Sequence, residues 1–410
     1  MTEQTKKQQL LELIRAHPFI SQQELADQLG LSRSAVAGHI AGLIRERKLL
    51  GRAYVLPAKQ ERRPVICIGA ANLDRKLRSI GPLALRTSNP ALAVESFGGV
   101  ARNIAENLAR LGTQVALLTA VGTDSSGAAL LAHAESLGID TRGALRLEDA
   151  ASGTYTAVLD QDGEMVVALA DMALYDRVDA AFVASRQAQL AGAALVVADL
   201  NLPLASIEAL VQAARGFSTE RAAERKAERD AGLVLVAVSE PKMARLPRDL
   251  RGVRLLILNV GELGTRVGRT LAREDAPALE AAMREVQAQG VRDLVVTLGA
   301  DGVILTTPAG VKHLAAPAAH VVDVTGAGDA FAAAVCWSLL QTPNANDDDN
   351  DDDNDQQGST LELACRRGLA LSKLTLGAAE TVYPGIGPQT LAGVTLANLD
   401  LNANHIAGRP

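Results

Sequence analysis

From residue 64 onward, short apolar runs alternate with segments in which apolar residues recur every three or four positions. The short runs predict buried strands, and the longer segments predict amphipathic helices. This alternation is typical of an α/β fold with a doubly wound parallel sheet. The predicted strands are VICIGAA, QVALLTAVG, ALVVADL, LVLVAVS, RLLILNV and DLVVTLGADGVILTT, and the predicted helices are ARNIAENLARLG, GAALLAHAESLG, LASIEALVQAARG, ALEAAMREVQAQG and GDAFAAAVCWSLL.

The first sixty residues predict three short helices instead. An apolar stripe at residues 10–14 marks the first helix. Ser21, followed three residues later by Glu24, predicts a capping box that opens the second helix, and Gly30 ends that helix. Ser32 caps the third helix, and the tight turn before it makes the last two helices a helix-turn-helix. The tail KLLGRAYVLP then predicts two short strands in the form of a wing.

Charge separates this segment from the rest of the chain. Residues 1–63 carry eleven basic and six acidic side chains, a net charge of +5, whereas the remainder has a net charge of −11. The segment resembles the winged helix-turn-helix of bacterial regulators, whose third helix enters the major groove of duplex DNA. A tri-helical module for protein contact or dimerisation is the alternative, and the basic balance favours DNA. The candidates for base or phosphate contact are Arg33, Ser34 and His39, and those for gripping the DNA backbone are Arg45, Arg47, Lys48 and Arg52.

Composition excludes several classes of protein. The 410 residues are 48% hydrophobic and 21% charged, and no apolar run approaches the roughly 18–20 residues of a membrane helix. The polar N-terminus lacks the apolar core of a signal peptide. The cysteines Cys67, Cys336 and Cys365 show no CxxC spacing, which argues against disulfides and zinc. We therefore expect a cytoplasmic protein without a membrane partner. Aromatic residues make up only 2%, which argues against a stacking surface for single-stranded nucleic acid.

An acidic segment, NANDDDNDDDNDQQG at residues 344–358, contains seven aspartates. Such a segment buries too little apolar surface to offset its ordering entropy, so we predict a disordered insert at residues 344–357. Calcium binding is the alternative, but the segment lacks the ligand spacing, the glycine and the closing glutamate of an EF-hand loop. Its role, and that of the charged segment 218–230, stays open.

The run VVDVTGAGDAFAAAVCWSLL at residues 321–340 carries the clearest chemical signal. The amides of Gly326, Ala327 and Gly328 can converge at a helix N-terminus and form an anion hole. Asp329 beside them could accept a hydroxyl proton while the amides stabilise a transferred phosphoryl group. An ordinary N-cap aspartate is the alternative. A dinucleotide-binding site and a Walker P-loop are excluded, because no G-x-G-x-x-G follows a strand and no Gly-Lys-Ser/Thr occurs.

Three further motifs favour the phosphoryl-transfer interpretation. GGVARN at residues 98–103 places a Gly-Gly turn before a helix with two polar residues, and GAANLD at residues 69–74 ends the first strand. NVGE at residues 259–262 ends another strand with an amide and a carboxylate three positions apart. Ligand-binding loops of α/β sheets lie at such strand ends. Each motif alone is more often a turn or a cap than a site.

Together and in this order, these motifs resemble the PfkB/ribokinase family of sugar and nucleoside kinases, over about residues 64–395. GGVARN is most similar to bacterial pseudouridine kinases, and some bacterial members carry the same N-terminal fusion. The resemblance implies a catalytic base at Asp329, an anion hole at residues 326–328, and the cofactors ATP and Mg²⁺. It also implies a small β lid built from LDRKLRSIG, ALAVESFGG and GTYTAVLDQDGEMVVALAD, which closes over the substrate and often mediates homodimers.

The resemblance also implies roles for residues around the base. Asp74 and Asn103 would grip ribose hydroxyls, with Gly99 allowing close backbone approach, Asn72 nearby and Asn201 as a weaker substrate contact. The implied nucleotide and cation residues are Asn259 and Glu262 for Mg²⁺ through water, Thr297 and Gly299 for the nucleotide, and Asp323 and Thr325 for a monovalent cation such as K⁺.

The sequence therefore predicts a winged helix-turn-helix at residues 1–58, a linker at 59–64, a kinase domain at 65–395 and a tail at 396–410. The predicted activity is ATP-dependent phosphorylation of a nucleoside 5′-hydroxymethyl group, with pseudouridine favoured. A kinase for ribose or another free sugar is one alternative. A transcription regulator whose kinase fold only senses a nucleoside or sugar is the other, although a pure sensor would need neither a base nor a Mg²⁺ organiser.

Overall fold

The computed structural model describes residues 3–16, 22–45, 63–224, 232–341 and 353–396. The chain divides into two compact units, Met1–Arg63 and Pro64–Pro410. No helix within these described ranges is long and apolar enough to cross a membrane.

The first unit contains three helices, α1 (Glu3–Ala16), α2 (Gln22–Leu29) and α3 (Arg33–Arg45). Their apolar faces meet in one small core that includes Leu10, Ile14, Leu25 and Ile40. The predicted Ser32 cap is present, because the Ser32 hydroxyl accepts a hydrogen bond of 3.1 Å from the Ala35 amide. The predicted wing lies outside the described residues.

The second unit contains fourteen strands in its described part, and they form three sheets. In chain order the strands are β1 (Val65–Ile68), β2 (Asn72–Ser79), β3 (Ala91–Gly98), β4 (Val115–Leu118), β5 (Ala120–Gly122), β6 (Leu145–Leu147), β7 (Thr154–Leu159), β8 (Met165–Asp171), β9 (Leu195–Asp199), β10 (Gly232–Val236), β11 (Val253–Asn259), β12 (Asp293–Thr297), β13 (Val303–Thr307) and β14 (Gly310–Leu314).

The helices of this unit connect and cover the strands. In chain order they are α4 (Val100–Arg110), α5 (Ser125–Ser136), α6 (Ala180–Ser185), α7 (Gln187–Ala191), α8 (Leu204–Glu224), α9 (Val260–Val267), α10 (Ala276–Gln287), α11 (Ala327–Gln341) and α12 (Asp353–Leu376). Short 3₁₀ turns lie at Ala173–Arg177, Glu240–Arg245 and Gly299–Asp301.

The largest sheet has eight strands in the order β14-β13-β12-β11-β10-β9-β1-β4. The six strands from β12 to β4 are parallel, as predicted, but β13 and β14 run antiparallel at one edge. The sheet is therefore mixed. The run DLVVTLGADGVILTT, which we interpreted as one strand, is the hairpin of β12 and β13, because the 3₁₀ turn at Gly299–Asp301 reverses the chain.

Alternate side chains of β1 face two separate cores. Ile66 and Ile68 pack on one face of the sheet, and Val65 and Cys67 pack on the other. The first core includes α8 and α10, and the second includes α4, α11 and α12. This two-sided burial is the doubly wound arrangement that the alternating pattern predicts. The three cysteines are unpaired and buried.

A second sheet of four strands, in the order β3-β2-β7-β8, forms the predicted lid. Strand β2 pairs antiparallel with β3 and parallel with β7. Register places Lys76 of β2 beside Val94 and Ala157, and Asp74 beside Ser96 and Tyr155. Side chains two residues apart on a strand share a face, so Asp74 and Lys76 lie on the same face of the lid.

The predicted disordered insert is wrong at its C-terminal end. Residues 344–352 lie outside the described residues. From Asp353 the backbone is helical, so positions 353–357 of the predicted insert open α12 instead of belonging to a loop. A helix that continues into an apolar, well-packed segment provides the physical reason, because helix propagation adds one hydrogen bond per residue.

Candidate active site

Asp329 lies in the first turn of α11, at the end of the helix where the peptide dipoles favour negative charge. The helix begins at Ala327, so Asp329 is its third residue and not its N-cap. The Asn103 side-chain amide, on α4, donates a hydrogen bond of 2.7 Å to an oxygen of Asp329. The two motifs that contain these residues, GGVARN and GAGD, therefore meet across 226 residues of chain.

Gly326 supplies the backbone turn that leads into α11. Its φ is 81°, in the left-handed region, and a Cβ built on it would lie 2.9 Å from the carbonyl carbon of Thr381. Any other residue would be strained there and would collide with backbone. The Ala327 amide donates to the Val324 carbonyl over a long 3.4 Å, and a Cβ on Gly328 would meet open space. The three predicted anion-hole residues thus form the N-terminal turn that carries Asp329.

Burial raises the pKa of Asp329 to about 7. The Asn103 hydrogen bond and the Arg102 guanidinium favour the ionised form and oppose this shift, whereas the carboxylates of Asp199 and Asp74 increase it. A carboxyl group with such a pKa is a competent general base near neutral pH, because it combines a populated ionised form with useful basicity.

Asp74 and Asn72 stand at the start of the lid strand β2. The Asn72 amide donates to Asp74 at 2.5 Å. Burial raises the pKa of Asp74 to about 6, although Asn72, Arg102 and Lys76 each lower it. A Cβ on Gly98 would lie within 2.6 Å of this carboxylate, so the glycine makes room for it.

Gly99 joins the lid to α4 with a φ of 97°. A Cβ there would lie 2.7 Å from the Ala71 Cα. Steric crowding alone therefore accounts for glycine at both positions of the Gly-Gly pair. The turn brings the strand-end loop of β1 against the N-terminus of α4, because the Arg102 amide donates to the Ala70 carbonyl at 3.1 Å. The strand-end loop that carries Asn72 therefore lies against the helix that carries Asn103.

Arg102 is a buried cation that sequence analysis noted as polar but assigned no role. Its guanidinium donates to the Asn103 amide oxygen at 2.7 Å and forms an ion pair with Glu106. The first of these bonds fixes the Asn103 amide so that its NH₂ group faces Asp329. Burial lowers the pKa of Arg102 to about 10, and Asp74 and Asp329 oppose the shift. The only sequence signal was an arginine within an otherwise packing helix face.

Asp199 at the end of β9 is a second residue that sequence analysis missed. Its carboxylate accepts hydrogen bonds from the Ala70 and Ala101 amides, both at 2.9 Å, and from the Asn201 amide at 2.8 Å. It is 1% exposed, and burial raises its pKa. Asp199 therefore ties together three loops at the carboxyl edge of the sheet. The signal was the acidic residue at the end of the run ALVVADL.

Asn201 lies at the same edge but contacts a different group. Its side-chain oxygen accepts from the Lys242 ammonium at 2.5 Å, and its carbonyl accepts from Arg245 at 2.5 Å. The described contacts thus connect Asn201 to the 3₁₀ turn at Glu240–Arg245 and not to Asp329. Its predicted substrate contact stays a prediction.

Asn259 and Glu262 form a capping box at the start of α9. The Asn259 oxygen accepts from the Glu262 amide at 2.9 Å, and Glu262 accepts from the Asn259 amide at 2.7 Å. Burial raises the pKa of Glu262, and the carboxylate of Glu240 raises it further. Two adjacent carboxylates favour a nearby cation, and Glu240 was not a sequence candidate.

Thr297 and Gly299 follow the neighbouring strand. Thr297 pairs in register with Asn259, so the NVGE motif and the predicted nucleotide contacts lie side by side at the carboxyl edge of the sheet. Gly299 opens the 3₁₀ turn with a φ of 67°. Within the described part of the chain, no three His, Cys, Asp or Glu side chains come together as a metal-binding group.

Asp323 and Thr325 are joined to the lid. The Asp323 carboxylate accepts from the Thr325 amide at 2.8 Å, from the Thr325 hydroxyl at 2.6 Å and from the Lys76 ammonium. Lys76, which sequence analysis did not single out, thus contacts both residues that were predicted to hold a monovalent cation.

The first unit presents part of its predicted DNA-binding set. Arg33 and Ser34 are exposed at the start of α3, and His39 is half-buried further along the helix. The side chain of Arg45 and the residues Arg47, Lys48 and Arg52 lie outside the described residues.

A family model described as pfkB family carbohydrate kinase matches residues 62–385, about four fifths of the chain. The chain belongs to this family. The chain is therefore a phosphotransferase with an alcohol group as acceptor. It belongs to the nucleoside and sugar kinases. A second model, described as winged helix-turn-helix DNA-binding, matches residues 4–47 of the first unit.

Similar proteins agree with membership of the pfkB family. An uncharacterised sugar kinase of Escherichia coli, YeiI, is 30% identical over 82% of this chain and 88% of its own length. The pseudouridine kinase of E. coli is 33% identical over 68% of this chain and 85% of its own length. A carbohydrate kinase structure from Agrobacterium tumefaciens has a TM-score of 0.65 at 25% identity, and the match covers 83% of this chain and 97% of that one.

Proposed function

We propose that the chain transfers the γ-phosphoryl group of ATP to the 5′-hydroxymethyl group of a nucleoside, with pseudouridine favoured. The observation that carries the proposal is the pairing of Asp329 with Asn103 at the N-terminus of α11, with the Asp329 pKa raised to about 7. A base that is half ionised at neutral pH, beside backbone amides, suits the activation of an alcohol towards phosphoryl transfer.

On the acceptor side, Asp329 takes the hydroxyl proton, and the amides of Gly326, Ala327 and Gly328 stabilise charge on the transferred group. Asp74 and Asn103 grip the ribose hydroxyls. Because Asn103 also donates to Asp329, the same side chain would position both the substrate and the catalytic base. Asn72 and Gly99 lie beside these two residues, and Asn201 is a weaker substrate contact.

On the nucleotide side, Thr297 and Gly299 contact ATP. Magnesium supplies charge neutralisation for the phosphates when it is bound. The donor set fits it: Glu262 has one oxygen committed to the capping box, and Glu240 adds a second carboxylate whose charge already raises the Glu262 pKa. Asn259 and Glu262 would hold the ion through water, the mode expected of Mg²⁺.

The choice of pseudouridine is supported by the relative of that name, which is 33% identical to this chain. Ribose or another free sugar is the competing acceptor, because another relative is named as a sugar kinase. A nucleoside carries a nucleobase that a free sugar lacks. Only nucleoside acceptors can therefore test whether recognition of the nucleobase contributes to activity.

Two further proposals concern partners. The first unit would bind duplex DNA through α3, supported by the winged helix-turn-helix match and by the exposed Arg33 and Ser34. A second copy of the chain would cover the lid, where Val167 and Leu169 are 46% and 65% exposed on the face opposite Asp74 and Lys76. We place the protein in the cytoplasm, in keeping with its three free cysteines.

A panel of nucleosides and free sugars, with ADP release as the readout and Asp329→Asn as the blank, tests the proposal. We expect pseudouridine to give the highest kcat/KM. A higher value for ribose would replace the nucleoside kinase by a sugar kinase. Tight binding of a nucleoside without any ADP release by the wild-type protein would favour the regulator that only senses its ligand.

A further inference from the structure

The side chains expected to hold a monovalent cation are already engaged by an ammonium group of the chain itself. One oxygen of the Asp323 carboxylate accepts from the Thr325 amide and hydroxyl, at 2.8 and 2.6 Å. The other oxygen accepts from the Lys76 ammonium, which also lies 3.5 Å from the Thr325 hydroxyl. The side-chain oxygens of Asp323 and Thr325 therefore contact Lys76 or one another.

Lys76 reaches this position from the lid. It lies on β2, flanked in register by Val94 and Ala157, so its backbone is fixed by a strand on each side. The Lys76 side chain is 34% exposed and that of Asp323 is 22% exposed. Such partial burial weakens solvent screening of the pair relative to an exposed surface ion pair. Hydrogen bonds from Lys76 and Thr325 outweigh burial and lower the pKa of Asp323, so the carboxylate is ionised at neutral pH.

A free K⁺ does not fit beside this arrangement. It would compete for oxygens that already have donors, and it would stand next to another positive charge in a partly shielded place, where like charges repel strongly. The lysine ammonium is itself a compact monovalent cation with three donors, enough for Asp323 and Thr325 together. The residues thus fit one resident positive charge and not two.

We propose that Lys76 is a built-in replacement for the monovalent cation at Asp323 and Thr325, and that the kinase consequently needs no K⁺. The inference rests on the proposed function, since the turn 323–325 leads directly into the anion-hole residues and Asp329. Because Lys76 belongs to the lid, the positive charge that secures this turn comes from the lid and not from solvent.

The first test measures nucleoside phosphorylation by the full chain in KCl, NaCl and choline chloride at equal ionic strength. Wild-type rates should agree within about twofold, since equal ionic strength keeps general screening constant. Lys76→Met should require K⁺, with a rate in KCl at least about tenfold above that in choline chloride, the scale of one lost electrostatic contact. Arg78→Met is the matched control, because Arg78 lies on the same strand and face, but its guanidinium donates to the Gln161 carbonyl and, among the described residues, to no other acceptor.

The second test needs no activity. It compares thermal denaturation midpoints in KCl and choline chloride, because a cation that binds only the folded state raises the midpoint. We expect a K⁺-dependent rise for Lys76→Met and none for wild type or Arg78→Met. A K⁺ response of the wild-type protein would overturn the proposal, and so would Lys76→Met that is indifferent to K⁺ in both tests. If wild type phosphorylates no acceptor in any salt, the proposed function fails, and the denaturation comparison still decides the role of Lys76.

Discussion

The Asp329 carboxyl group, the proposed catalytic base, has a raised affinity for protons, because burial and two neighbouring carboxylates oppose its ionisation. Only the ionised form accepts a proton. The fraction of ionised Asp329 rises as the pH passes upward through its raised pKa of about 7. The kcat/KM of the wild-type enzyme should therefore climb with pH between mildly acidic and mildly alkaline conditions and then level off.

Replacing this group tests the base directly. Asp329→Asn keeps the size of the side chain and its place in the first turn but removes the basic oxygen. We expect kcat to fall by about 10²–10⁴-fold, the usual contribution of a general base. Unchanged thermal denaturation would show that the fold persists. Near-normal turnover would eliminate Asp329 as the base.

Asn103 and Asp74 influence the same carboxyl group in opposite directions. Asn103 donates to Asp329 and favours its ionised form, so Asn103→Ala should raise the Asp329 pKa and move the rising part of the pH profile to higher pH. Asp74 repels the ionised form, so Asp74→Ala should move it to lower pH. Both variants should also raise KM for the acceptor, because they remove the proposed partners of the ribose hydroxyls.

The two variants serve as controls for each other, since general damage to the site would not shift their pH–rate profiles in opposite directions. Full pH–rate profiles of the three proteins provide the measurement. Shifts in the same direction, or profiles that coincide with wild type, would contradict the electrostatic assignment.

At the scale of elements, the entry into α11 depends on one glycine more than on its neighbours. Gly326→Ala would force a Cβ into the left-handed region and against the Thr381 backbone. The free energy of unfolding should drop by about 1–3 kcal/mol or more, the cost of such strain. Gly328→Ala adds a Cβ into open space and should unfold like wild type. Urea denaturation of both variants compares them, and equal stabilities would show that the turn tolerates a side chain at position 326.

Elements marked by a contiguous pattern were predictable from sequence, and boundaries that lie inside a uniform run were not. The GAGD turn carries its own glycines, whereas the lid strands were predicted through the family resemblance. The hairpin of β12 and β13 was missed, because the reversal lies in a turn of three residues inside an apolar run. The start of α12 was missed because its first residues are acidic.

The candidate site divides by distance along the chain. Asp329, Asn103 and Asp74 became candidates because they lie in contiguous motifs that resemble those of the family. Asp199 and Lys76 were not, since most of their partners are contributed by segments 98 to 249 residues away along the chain. A sequence indicates a basic side chain at a ligand site only when the acidic partner of that side chain lies nearby along the chain.

At the scale of the whole molecule, a basic unit and an acidic unit share one chain. The full-length protein should bind duplex DNA, and its affinity should fall steeply with salt because each phosphate contact releases counterions. Arg33→Ala should weaken binding and reduce the salt slope by about one. Gln23→Ala, on an exposed position of α2, is the control and should change neither. Unchanged affinity of Arg33→Ala, measured by fluorescence anisotropy, would count against α3 as the DNA-reading helix.

Because the two units share one chain, nucleoside binding can be coupled thermodynamically to DNA binding. If the nucleoside favours one arrangement of a dimer, it will change how well two copies of α3 fit two half-sites of DNA. DNA affinity should then differ with and without saturating pseudouridine, measured on duplexes that the full chain selects from a random pool. Linkage requires that the same DNA change pseudouridine affinity by an equal factor. Asp74→Ala should weaken the response to nucleoside without altering DNA binding in its absence. Identical DNA affinities in both conditions would mean that the kinase and the DNA-binding unit act independently on one chain.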